Sequence, residues 1–202
     1  MIKDIVFDLG NVIITFEPDK FLDQLLKDPG AKAAVMDVYF PELWDEYDRG
    51  DHTIEEMIEI GAKRYPQYEP AFRSMMLEWV NHLVPLRPSF DLIRELKEKG
   101  YRIFLLSNLS EQGYRSLQEE EELLSYLDGG IYSYQYHLKK PDPRIYRILM
   151  DTYDIDPKTS LFIDDRIENV ETARRLGFET IHCSDYDRMP QWVREKLYEV
   201  SV

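Results

Sequence analysis

The 202-residue chain predicts an α/β fold, a doubly wound parallel sheet with an all-helical segment inserted after the first strand. Three observations carry this reading. Short apolar runs rich in β-branched and aromatic residues recur at 2–7, 101–107, 131–136, 160–163 and 178–183. After residue 84 these runs alternate with helical patterns, which is the signature of βαβ units and a parallel sheet. Between the first run and the others, residues 15–83 read as helical throughout and show no strand pattern. The expected organisation is therefore a core from 1–14 and 84–202 with a helical cap over 15–83.

Each element has its own signal. The first strand, with Ile2, Ile5, Val6 and Phe7, stops at Asp8, and Gly10-Asn11 follow as a tight turn. Pro18 suits the first turn of a helix that places Phe21, Leu22, Leu25 and Leu26 on one face, and Asp28-Pro29-Gly30 stops it. A stretch rich in aromatics and acids, PELWDEYDRGDH, then turns at Gly50. Thr53 and Glu56 form a capping box that opens a helix burying Ile54, Met57, Ile58 and Ala62. Phe72, Met75, Met76, Trp79 and Leu83 recur at helical spacing, as a cap core would. A helix over 90–99 closes at Gly100, and the second strand ends at Ser107-Asn108. One helix is expected over 111–127, and the third strand over 131–136 leads to Lys139-Lys140-Pro141. Asp142-Pro143 opens a helix, the fourth strand ends at Asp164-Asp165, and a helix carrying Ile167, Val170, Ala173 and Leu176 closes at Gly177. A fifth strand and a last helix over 191–200 finish the chain.

Composition narrows the function classes. Lys and Arg total 25 against 39 Asp and Glu, a net charge of −14, which argues against nucleic acid and anionic membrane surfaces. Phosphorylated metabolites remain open, because one metal ion and one lysine reverse the local sign. No apolar run approaches a membrane span, and MIKDIVFD has no signal-peptide pattern, so a cytoplasmic protein is the simplest expectation. The single Cys183 excludes an intrachain disulfide and a cysteine metal site, and the four histidines show no ligand spacing. Nothing in the sequence signals an oligomeric state.

The chemistry gathers at strand ends. Right-handed crossovers put Asp8, Ser107-Asn108 and Asp164-Asp165 on one edge of the sheet, with Lys140 in the loop after the third strand. Such a cluster offers carboxylates to a hard cation, a hydroxyl and turn amides to an oxyanion, and one fixed positive charge. Taken singly, each group has an ordinary alternative: a turn or helix cap for Asp8, Ser107 and Asp164, a solvated loop lysine for Lys140.

These segments resemble the motifs of the haloacid dehalogenase-like hydrolase superfamily. FDLGNV resembles its first motif, LLSN the second, KKPDPRIY the third and FIDDRIENV the fourth, in order and across nearly the whole chain. The helical insert resembles the small-cap subfamily, with likeness to bacterial sugar-phosphate phosphatases and to the phosphatase domain of soluble epoxide hydrolase. The resemblance implies an Mg²⁺-dependent phosphomonoesterase acting on a small phosphorylated metabolite, a sugar phosphate among the candidates, through an aspartyl phosphate. Asp8 would be nucleophile and metal ligand, and Gly10 would give a backbone carbonyl to the metal. Ser107 and Asn108 would bind phosphate oxygens, and Lys140 would hold phosphate and nucleophile together. Asp164 and Asp165 would complete the metal site, and Asn169 would support it. In resembling proteins the loop before a glycine such as Gly50 shapes substrate choice, which makes Arg49 a candidate substrate ligand; pairing with its acidic neighbours is the alternative.

One position departs from the pattern. Most phosphatases of this superfamily carry a second aspartate two residues after the nucleophile, as acid and base, and here Gly10 stands instead. General acid–base help is worth about 10²–10⁴-fold, so turnover should depend steeply on the leaving group. Two alternatives follow. A C–halogen or C–P hydrolase would need an arginine soon after the first motif or a marked cap lysine; the first arginine is Arg49, and nothing marks one of Lys20, Lys27, Lys32 or Lys63. A phosphometabolite-binding protein without turnover would keep the site and rests on Gly10 alone.

Overall fold

The computed structural model describes residues 1–40 and 42–198. Five strands, β1 (Asp4–Phe7), β2 (Arg102–Ser107), β3 (Gly129–Tyr132), β4 (Ser160–Asp164) and β5 (Glu179–His182), form one sheet in the order β3-β2-β1-β4-β5. Every neighbouring pair is parallel. The chain therefore builds outward from β1 in one direction, then returns to the other side of β1 to add β4 and β5. This reversal makes the β1/β4 boundary the topological switch point, where an open α/β sheet leaves a crevice. Phe7 pairs in register with Ile163, so Asp8 and Asp164 leave the sheet side by side.

Helices α1 (Pro18–Leu25), α2 (Pro29–Tyr39), α3 (Glu42–Asp48), α4 (Ile54–Arg64) and α5 (Glu69–Glu78) fill the segment between β1 and β2, as the absence of a period-2 pattern predicts. The remaining helices are α6 (Arg87–Glu98), α7 (Glu111–Leu117), α8 (Glu121–Leu124), α9 (Pro143–Tyr153), α10 (Ile167–Arg175) and α11 (Met189–Tyr198). None of the described helices is long and apolar enough to cross a membrane.

Alternating side chains on the strands serve two faces. Ile5, Phe7, Ile103 and Leu105 pack with Phe90 and Leu96 of α6 and Val193 of α11. Val6, Phe104 and Phe162 face the other way, toward Ile145 and Leu149 of α9 and Ala173 of α10. The strands are apolar on both faces because helices cover both. A third cluster belongs to the helical segment: Phe21, Leu22, Val35, Trp44, Met57 and Phe72 gather with Met75, Met76 and Trp79. Each such fully buried side chain contributes about 1.5–3 kcal/mol by leaving water. The chain leaves and rejoins the sheet layer through paired segments, with Thr15 N–H donating to Val84 O at 2.9 Å and Leu86 N–H to Ile13 O at 2.8 Å.

Several boundaries differ from the sequence expectation. Asp28-Pro29 stops α1 but also starts α2: Asp28 accepts from Gly30 N–H, and Pro29 takes the first helical position. Part of the aromatic and acidic stretch is α3. The single helix expected over 111–127 is two, because the chain turns between Leu117 and Glu121. β3 is shorter and begins at Gly129, and Ser133–Gln135 is a 3₁₀ turn. The last helix begins at Met189, and the end of the expected range, 199–200, lies outside the described residues.

Candidate active site

Four loops at the carboxyl edge of the sheet, after β1, β2, β3 and β4, bring most of the sequence candidates together. Asp8 follows β1, and its Oδ1 accepts from Leu9 N–H at 2.7 Å. The turn that follows holds Asn11 at φ 53°, a left-handed conformation that asparagine tolerates. Asn11 Oδ1 accepts from Phe16 N–H at 2.9 Å, and its Nδ2 donates to Asp165 Oδ2 at 3.3 Å. Asn11 thus ties the first loop to the acid pair after β4. Sequence reading saw it only as a turn residue.

Lys140 is the centre of the cluster. It is 1% exposed, and its ammonium lies 2.7 Å from Asp8 Oδ1 and 2.6 Å from Asp164 Oδ2. Asn108 positions this lysine through the main chain: Lys140 N–H donates to Asn108 Oδ1 at 2.7 Å, and Asn108 Nδ2 donates to Lys140 O at 3.0 Å. Asp164 Oδ1 accepts from Asn169 Nδ2 and from Arg166 N–H, both at 2.9 Å, so its second oxygen is left for Lys140. Asn169 Oδ1, buried, has no donor among the described residues. Ser107 is buried at the end of β2 and lines the same cavity as Asp8, Gly10, Asn108, Lys140 and Asp165.

Electrostatics make this a strained anionic site. Burial pushes the Asp8 carboxyl up to about 7; Lys140 pulls it down, and Asp164 and Asp165 push it up again. Asp165 is raised as well, by burial and by the charge of Asp164. Burial alone would lower the Lys140 ammonium, but Asp164 and Asp8 outweigh it and the net direction is upward. Asp8, Asp164 and Asp165 each offer an oxygen, all within 4.8 Å of one another. Three carboxylates face one ammonium, so a hard divalent cation fits the donor set by both chemistry and charge.

The candidate substrate ligand Arg49 sits elsewhere. Arg49 does not line the cavity; its Nε donates to Asp51 Oδ2 at 2.8 Å, the pairing that its acidic neighbours allowed. Lys139 is turned onto Asp45 of α3. Cys183 is buried, and that burial pushes its thiol up to about 12, as expected of a small core residue.

The helical layer adds Trp44 and Asp48, from the stretch before Gly50 whose counterpart shapes substrate choice in resembling proteins, and further groups that the sequence did not single out for the site. Phe16, Phe40, Trp44, Trp79 and Asp48 line the same cavity as Asp8 and Lys140. Asp48 is buried, and burial, with Asp45 nearby, raises its carboxyl well above the ordinary range. Tyr47 and Trp79 were visible as an aromatic pattern, but their common partner, Gln112 of α7, gave no local signal.

Comparison with known proteins agrees with this architecture. The sequence model of the haloacid dehalogenase-like hydrolase family matches residues 2–177. The chain is 26% identical over 185 residues to a sesquiterpene phosphatase of Aspergillus oryzae, covering 91% of this chain and 90% of that one. It is 30% identical over 192 residues to a D-ribitol-5-phosphate phosphatase of Bacteroides thetaiotaomicron, covering 89% and 91%. A crystal structure of a HAD family enzyme from Bacteroides thetaiotaomicron, in complex with magnesium and inorganic phosphate, superposes with a TM-score of 0.67 at 23% identity, covering 90% of this chain and 94% of that one.

Proposed function

The chain belongs to the haloacid dehalogenase-like hydrolase family, and from that premise we propose that it is an Mg²⁺-dependent phosphomonoesterase acting on a small phosphorylated metabolite. One observation carries the reading: a single buried ammonium, Lys140 Nζ, bridges Asp8 and Asp164 beside Asp165, on the lining of a cavity. Three acids around one lysine suit a cation and a phosphoryl group better than a halide. Two phosphatases among the relatives and a magnesium–phosphate complex among the structural neighbours support the same reading.

In this mechanism Ser107 and the loop at Asn108 receive phosphate oxygens, and Lys140 holds the phosphoryl group against Asp8. An oxygen of Asp8 forms a bond to phosphorus as the ester P–O bond breaks, and the alcohol leaves with a proton from solvent or substrate. Water then bonds to the same phosphorus, the acyl-phosphate P–O bond breaks, and Asp8 and inorganic phosphate are regenerated. Asp8, Asp164, Asp165 and the Gly10 carbonyl would hold Mg²⁺. When bound, the ion neutralises charge on the transferring group and on the acids around it. The helical segment over 15–83 serves as the cap that closes the cavity and excludes water.

The test is phosphate release from a panel of phosphomonoesters. We expect release that requires Mg²⁺, stops with a chelator, and falls on the order of 10³-fold or more in Asp8→Asn. Wild-type protein that binds phosphoesters but releases none would overturn hydrolysis in favour of a binding role. The names of the relatives leave the alcohol open, since one acts on a sugar-alcohol phosphate and the other on a sesquiterpene.

A further inference from the structure

The cavity over Asp8 measures about 310 Å³ and has two chemically different halves. The sheet side carries the acids, Lys140, Ser107 and Asn108. The side built by the helical layer and its connecting segments presents mostly hydrocarbon, from Phe16, Phe40, Trp44, Trp79 and Leu83, beside the carboxyls of Asp45 and Asp48.

Trp44 organises this apolar half. Its ring stacks with Phe16 at 5.7 Å and with Phe40 at 5.2 Å, and meets Trp79 edge-on at 5.1 Å. The polar tips of the neighbouring aromatics are drawn away from the cavity. Gln112 Oε1 accepts from Trp79 Nε1–H and from Tyr47 O–H, each at 2.8 Å, and Gln112 itself does not line the cavity. Ring carbon is what Trp79 is left to present.

Apart from the buried Asp48 carboxyl and Asn169 Oδ1, most polar side chains on this lining are committed to protein partners. Asn11 uses both ends of its amide on Phe16 and Asp165. Asp45 is held by Lys139, and Arg166 Nε donates to Glu168 Oε1 at 2.7 Å. Asn108 is occupied by the Lys140 backbone. A polyhydroxylated leaving group would find few partners here, and each stranded hydroxyl weakens binding roughly five- to a hundredfold. A hydrocarbon would displace water from surfaces that cannot hydrogen-bond it well.

We infer that the substrate is the phosphomonoester of an apolar alcohol, aromatic or branched, whose hydrocarbon sits against Phe40, Trp44 and Trp79 while its phosphate lies over Asp8. The inference rests on the phosphomonoesterase reading above and names the class of alcohol that this reading leaves open.

The experiment compares primary alkyl phosphates on the wild-type chain with Mg²⁺: 3-phenylpropyl phosphate and 3-methylbutyl phosphate against ribitol 5-phosphate and glucose 6-phosphate. Neighbouring oxygens make the latter two the better leaving groups, so any leaving-group effect runs against the expected preference. We expect kcat/KM at least about tenfold higher for the apolar pair, and a ratio that falls toward one in Phe40→Asn, a change at a half-buried rim position. Acetyl phosphate, which needs no alcohol pocket, is assayed alongside. If it is hydrolysed while the polyol esters match or outrun the apolar ones, the inference is overturned and the phosphomonoesterase reading stands. If no phosphate is released from anything, that reading falls, and binding decides the pocket by itself. Tryptophan fluorescence would then have to report 3-phenylpropylphosphonate binding at least about tenfold tighter than a polyhydroxylated phosphonate of equal length; equal affinities overturn the inference.

Discussion

A Cβ added at Gly10 would meet Phe16 Cβ at 3.7 Å, an ordinary contact, and Gly10 is not among the glycines with a left-handed φ. The backbone therefore tolerates a side chain at the position where related phosphatases carry their acid. Nothing steric explains the glycine, so its effect should be chemical. Gly10→Asp should raise kcat for alkyl phosphates by about 10²-fold or more and flatten the dependence of rate on leaving-group pKa, with little change for aryl phosphates. Initial rates across an alkyl-to-aryl series check this. A folded variant whose slope is unchanged would show that leaving-group protonation does not limit the wild-type chain. Asp48 is the other residue of interest at this scale: its buried carboxyl holds its proton above the ordinary carboxylate range and shares the cavity with Asp8.

Among the elements, α7 acts as the latch between the helical layer and the sheet. Gln112 accepts from Trp79 and Tyr47 and donates its own Nε2–H to Met76 O at 2.8 Å, so one amide joins the end of α3, the end of α5 and the segment after it. Ser133 Oγ adds a second joint by donating to the Asp48 carbonyl. Gln112→Leu keeps the volume but strands buried donors and an acceptor, each costing about 1–3 kcal/mol. Three such groups lose about 3 kcal/mol or more, which for a chain of this size lowers Tm by at least about 6–12 °C, and a thermal melt would detect it. An unchanged Tm would mean that the helical layer is held by its apolar contacts alone. Element boundaries follow the same logic. Asp28-Pro29 is legible as a break, but whether a cap-plus-proline ends one helix or begins the next depends on the apolar face that comes after it. Ala31, Ala34, Val35 and Val38 supply that face here.

The whole molecule must fold around three clustered acids, and stability should record that. Asp8 is raised from 3.8 to about 7, so the folded state keeps a proton that the unfolded chain has released. A raised carboxyl contributes stability that is present below the unfolded pKa and lost as pH rises through the folded one. Asp165 and Asp48 are raised and act with the same sign. Surface acids with lowered values, such as Asp142 and Glu95, titrate below this window and do not oppose the trend. The metal-free chain should therefore lose thermal stability from about pH 4 to about pH 7. Mg²⁺ replaces that proton, so its stabilising effect should grow over the same interval and reach about 2.7 kcal/mol at a hundredfold excess over Kd. Melting curves with and without chelator check both trends, and Asp8→Asn should flatten them. A metal-free Tm that rises across the interval would contradict the arrangement of charges described above.

The sequence by itself determined the sheet, the helical insertion, and the meeting of Asp8, Ser107, Asn108, Lys140, Asp164 and Asp165. Strand and helix periods are written in neighbouring residues, and right-handed parallel crossovers put every strand end on one edge. Tertiary structure alone decided the surroundings of that edge. Arg49, next to the site in sequence terms, is taken by Asp51, because a nearby carboxylate on a tight turn is reached before a distant cavity. Trp79 reads as a core residue and is one, yet its ring also lines the cavity, as does Trp44 from the stretch before Gly50, because the helical layer packs over the switch point. The bond from Gln112 to Trp79 spans 33 residues and leaves no periodic trace. Contacts of this kind depend on which faces meet after folding, and so the half of the cavity with Asp8, Ser107, Asn108 and Lys140 was legible in the chain while its apolar half was not.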